Sequence, residues 1–115
     1  MYPLVLHKTM TIERWGNFPI SRRILMIGNE ISRLRDFVEM QSQQNVITET
    51  LERAMELTDL TVETSSGNFR KELLRWREML SFVYREKEHL EEEKSLIEQL
   101  YQTLMYFTRE SADAY

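Results

Sequence analysis

From Ile20 to Val38 the large apolar residues fall at Ile20, Ile24, Ile27, Ile31, Leu34 and Val38, in alternating steps of four and three. Such steps set all six side chains on one stripe of a helix, and no two-residue alternation competes for the segment. The rhythm recurs. Ile47, Leu51, Ala54, Thr58 and Val62 form a stripe between Val46 and Glu63, flanked by Met55 and Leu57. Phe69, Leu73, Trp76, Leu80 and Val83 form another, and Leu96, Ile97, Leu100, Leu104 and Phe107 a fourth. Amphipathic segments joined by short polar turns predict an all-α fold. The expected architecture is an up-down antiparallel four-helix bundle over residues 20–115, with a short irregular N-terminal arm over residues 1–19 packed on it.

The punctuation between stripes is polar. Ser21 is the expected N-cap of the first long helix, with Ile20 and Leu25 as its hydrophobic staple, and a start at Pro19 is nearly as good. "QSQQN" (41–45) ends that helix and leaves Asn45 to cap the next. "TSSGN" (64–68) gives a second turn, in which Gly67 can take positive φ and Asn68 can cap the third helix. The stretch "EKEHLEEEK" (86–94) predicts an interruption, because its carboxylates repel one another and Leu90 is its one apolar residue. Ser95 with Glu98 then has the form of a capping box. A continuous helix through this stretch is the alternative, since Leu90 and Ile97 keep heptad phase. Gly28 sits mid-helix, where it costs about 1 kcal/mol relative to alanine, and predicts close approach by a neighbouring helix. In the arm, "YPLVLH" reads as extended and "MTIERW" as a helical turn. Met10 is an alternative start that would make the preceding residues dispensable.

Composition narrows the chemistry. Of 115 residues, 42% are apolar and 30% charged, with three glycines and two prolines, a mixture suited to a helical globular domain. The chain has no cysteine, which excludes disulfides, thiolate nucleophiles and cysteine-based zinc sites. No apolar run approaches the ~20 residues of a membrane helix, and "MYPLVLHKT" lacks the features of a signal peptide. A cytoplasmic location without membrane contact is expected. The net charge of −4 argues against general nucleic-acid binding. Its sign alternates: residues 1–41 and 69–90 each carry net +2, residues 42–68 and 91–115 each net −4. In an up-down bundle every basic segment would lie between two acidic ones.

Three constellations invite a chemical reading. Glu86 and His89 have the Glu-x-x-His spacing of di-metal bundles, but His7 is the chain's other histidine and the remaining ligands are missing. Arg85 and His89 form an Arg-x3-His pair. It resembles the pair carried by small helical nucleases of toxin–antitoxin systems, although the spacing is one residue short. That resemblance implies Arg85 supporting a phosphorane-like transition state and His89 moving the proton. "FRKELLRWR" (69–77) groups Arg70, Lys71, Arg75 and Arg77 around Trp76, yet Trp76 falls on the apolar stripe, and Glu72 and Glu78 interrupt the basic faces. No phosphate loop, nucleotide fingerprint or Ser/His/Asp set is present. No cofactor is expected, and the mostly apolar stripes argue against catalysis.

What remains is an apolar surplus. Met26, Phe37, Met40, Leu60, Leu74, Met79, Phe82, Met105 and Tyr106 lie off the main stripes. They either widen the core arcs to the ~100° a globular helix needs or offer a second surface. Trp15 and Phe18 flank a Gly-Asn pair that permits a tight reversal. The two rings either plug the end of the core or serve as a handle for a partner. "RLRDFVEMQSQQNVITETLERAMELTDL" (33–60) is similar in rhythm to the second and third helices of flagellar export chaperones, which implies a peptide-binding chaperone with apolar grooves. The leading expectation is a non-enzymatic, homodimeric protein–protein interaction module, with Trp15, Phe18, Met26, Phe37 and Met40 as partner-binding residues. Such a chaperone, or a small RNA-acting nuclease, is the alternative.

Overall fold

The hydroxyl of Thr11 accepts the Arg14 N–H at 3.0 Å and so opens the first helix of the computed structural model, α1 (Ile12–Gly16). The structure describes residues 11–114, with side chains described over residues 11–107; "YPLVLH", His7 and the alternative start at Met10 lie outside that range. After α1 come α2 (Ile20–Glu39), α3 (Gln44–Glu63), α4 (Gly67–Arg85), a 3-10 segment (Lys87–Glu93) and α5 (Lys94–Ala114). No strand occurs among the described residues. None of the described helices is long and apolar enough to cross a membrane.

α2, α3 and α4 each begin two residues before the start that the expected cap implies, α2 beside Pro19 as the alternative start has it, and the polar residues expected as caps do not cap. The residues flanking α2, α3 and α4 are Pro19, Gln43 and Ser66, all with extended ψ and none with a side-chain cap bond. Ser21, Asn45 and Asn68 therefore lie inside their helices. Ser95 is likewise internal, because the 3-10 segment runs into α5 through a helical Lys94 and leaves no free N-terminus to cap. The interruption itself falls where the glutamates cluster, with His89 pulled out of helical geometry at φ −124°. Gly67 takes the positive φ expected of it, +66°. Gln41 also has positive φ, +53°, because it closes α2. Its N–H reaches Val38 O and that of Ser42 reaches Phe37 O, the paired bonds of a Schellman motif.

The stripes meet in one interior. α2 packs on α3 and α5, α4 packs on the same two helices, and α1 lies on α3. Ile24, Ile27, Ile31, Leu34, Leu51, Ala54, Leu73, Trp76, Leu80, Ile97, Leu100 and Leu104 are buried there, with Leu90 sealing the corner from the 3-10 segment. Trp76 ties α4 to α5 by donating its indole N–H to Leu100 O at 3.0 Å. At Gly28 the neighbour is α5: an added Cβ would stand 2.6 Å from Met105 Cε and 3.7 Å from Leu104 Cδ2. Charges link helices of opposite sign, Arg77 to Asp59 at 2.7 Å between α4 and α3, and Arg35 to Glu98 at 3.4 Å between α2 and α5.

Candidate interaction surfaces

The N-terminal turn is an anchor. Trp15 has no exposed surface, and its indole N–H donates to Thr61 Oγ1 at 2.9 Å. The Thr61 hydroxyl passes its own hydrogen to Leu57 O, so both polar groups are satisfied in an otherwise apolar place. Phe18 meets the Trp15 ring edge-on, with centroids 5.8 Å apart, and carries the Arg22 guanidinium on its outer side. Arg23 fastens the turn to the end of α3 by donating to Phe18 O and to Thr64 Oγ1. Burial pushes the Arg23 pKa below its usual value, and a guanidinium starts so far above neutrality that it stays charged. Of the two roles open to the ring pair, Trp15 takes the plug. It shows nothing to a partner.

On α2, helical register sets Met26, Phe37 and Met40 along one flank of the core stripe. Met26 and Phe37 are half-buried against the interior, whereas Met40 is 71% exposed, the most exposed large apolar side chain described. Glu30 lies on the same flank and is buried. One of its carboxylate oxygens accepts from Arg33 at 2.9 Å, and the other, Oε2, has no hydrogen-bond partner among the described residues. Nothing in the apolar rhythm pointed to Glu30.

α4 turns a different face outward. Leu74, Met79 and Phe82 are exposed there among Lys71, Arg75, Glu78 and Arg85. Arg85 stands 5.9 Å over the Phe82 ring, and Arg75 pairs at 2.8 Å with Glu72 at the edge of the face. Trp76 points inward, so the ring that a nucleic-acid reading would use for base stacking is in the core. Arg77 is committed to Asp59 through two nitrogens, and that hydrogen bonding holds its pKa above the usual value.

The 3-10 corner borders an open pocket of about 230 Å³ against the α2–α3 turn, with Gln41, Gln44, Lys87 and Glu91 at its rim and Val38, Ile47 and Leu90 beneath. Gln44 bridges the two segments by donating to Lys87 O. The Lys87 ammonium rests 4.2 Å from the Tyr84 ring, and the Tyr84 hydroxyl donates to Glu52. Desolvation, then that bond, raises the Tyr84 pKa. Arg85 and His89 are both exposed; the Arg85 guanidinium lies 5.9 Å from the centre of the Phe82 ring, and His89 sits at the kink with φ −124°. Among the described residues no three His, Cys, Asp or Glu side chains are grouped to hold a metal ion. Comparison with protein-family models, with curated proteins and with solved structures finds no match to this chain.

Proposed function

We propose that this chain is a non-enzymatic protein–protein interaction module that associates with itself. In this reading α2 to α5 form an up-down antiparallel bundle, which the short α2–α3 and α3–α4 connections and the packing of α2 and α4 on the same two helices support. A cysteine-free composition suits a reducing compartment such as the cytoplasm.

The observation that carries the proposal is Met40. The interior is already closed by Trp15, Trp76 and the four stripes, yet a flexible thioether stands 71% exposed at the end of a flank that also shows parts of Met26 and Phe37. A methionine-rich strip conforms to its own copy without demanding a fixed shape, so a two-fold pairing of α2 flanks would bury it on both sides. Phe18 is the fourth member of the contact, positioned from behind by Trp15. Sedimentation over a hundredfold dilution tests this. A mass that rises with concentration, and falls back to monomer with Met40→Glu, supports the pairing; monomer throughout removes it.

A further inference from the structure

We infer that the outward face of α4 is a second docking surface and that its occupant is an acidic amphipathic helix of another protein. Helical register places Lys71, Leu74, Arg75, Glu78, Phe82 and Arg85 together on the side of α4 away from Leu73, Trp76 and Leu80, and all six are exposed. Leu74 and Phe82 are each 42% exposed and eight residues apart, about 12 Å along the axis. That spacing suits two successive apolar side chains of a facing helix set into the grooves between them. Arg85 lies over Phe82 at 5.9 Å, so the charged head and the ring face a partner side by side.

Charge selects the partner. The face carries three cations against the one carboxylate of Glu78, on a protein whose net charge is −4. Arg75 shares its charge with Glu72 at the edge, which leaves Lys71 and Arg85 without an ion-pair partner among the described residues. A second copy of this face would set like charges against one another, whereas an acidic helix would meet them with opposite sign. An extended peptide fits poorly, because the backbone groups of α4 are bonded within the helix and offer it no edge to pair with. Glu78, between Leu74 and Phe82, would face the phosphates of a lipid or nucleic-acid surface and repel them. Against a partner helix it needs only one polar or basic residue opposite.

The probe is a fluorescein-labelled synthetic helix of about 20 residues with leucine at three- and four-residue spacing and glutamate elsewhere. A matched peptide with lysine in place of glutamate is the control, and binding to the full chain is read by anisotropy. The acidic peptide should bind and the basic one should not, with affinity falling as salt rises. Phe82→Ala should weaken binding by about tenfold or more, Arg85→Glu should do the same, and Glu78→Gln should tighten it. Circular dichroism should show all three variants folded, since each changes an exposed side chain. Equal binding of both peptides, indifference to Phe82→Ala, or tighter binding to phosphatidylserine vesicles or single-stranded RNA than to the acidic peptide would overturn the assignment. So would a concentration-dependent dimer that disappears with Phe82→Ala but persists with Met40→Glu, because the occupant would then be a second copy. The α2 pairing can fail without affecting the peptide-binding readouts.

Discussion

α3 and α4 are neighbours of nearly equal length with comparable apolar stripes, yet α3 buries ten of its twenty residues and α4 only four of its nineteen. The difference lies on their far sides. α3 is packed by α2, α4 and also α1, and Leu60, on the side away from its own stripe, has no exposed surface. Leu74 occupies the corresponding far side of α4 and is 42% exposed. α3 accommodates enclosure through its threonines. Thr50, Thr58 and Thr61 are buried, and each hydroxyl donates to the carbonyl four residues earlier, so the helix can be surrounded without stranding a polar group. α4 has arginines, lysine and glutamates in the equivalent places and stays open. A helix wrapped on several sides serves as an anchor, and a helix open on one side is free to bind.

The contrast can be broken first by paired truncation. Leu60→Ala should cost about 3 kcal/mol in urea unfolding, while Leu74→Ala should stay within about 0.5 kcal/mol; similar costs at both sites would mean that the far sides do not differ. Next, Thr61→Val keeps the shape of the side chain but removes the acceptor of the Trp15 indole N–H. A loss of about 1–3 kcal/mol is expected, together with a shift in tryptophan fluorescence. If stability is unchanged, α1 does not depend on that bond to hold its place on α3.

A third change sharpens the contrast by reversing its sign. Glu30 is buried with Oε2 unpartnered among the described residues, while Arg33 is 59% exposed at its side chain and can return to water. Glu30→Met should therefore raise stability by about 1 kcal/mol. If it lowers stability instead, the carboxylate has a partner that the interior supplies in solution. The smallest effect is expected at Gln41. Gly relieves the left-handed backbone there but loosens the unfolded chain, so Gln41→Gly should gain only about 0.5 kcal/mol, seen as a slightly raised midpoint with unchanged slope.

Much of this interior was legible from spacing. Five of the six stripe positions from Ile20 to Val38 are fully enclosed, the sixth packs at the edge, and every stripe member from Ile47 to Val62 is buried. Leu60 and Glu30 were not legible as interior, because each lies off its helix's stripe; Thr61 lies on the edge of its stripe beside Ala54, but nothing in the spacing pointed to Trp15 as its partner. Arg23 could not be read either, since its partners are a carbonyl five residues away and a threonine at the end of another helix. Thr58, Thr61 and Thr64, spaced three apart through the last turns and cap of α3, carried a faint signal that an enclosed helix was being kept satisfied. For the surfaces, the surplus of Met40, Leu74 and Phe82 was visible as a surplus, but whether each lay inside or outside was not.

The sequence alone determined roughly where the long helices run and which stripe of each faces inward, and it favoured a break in the glutamate-rich stretch after Arg85 over a continuous helix, because periodicity and local repulsion act over a few residues. Only the tertiary structure decided that Trp15 is a plug, that Leu60 is enclosed while Leu74 is not, and that the cationic face of α4 is left open. Those outcomes depend on which helices come to lie side by side, and the apolar rhythm of one helix is the same whichever neighbour covers its flanks.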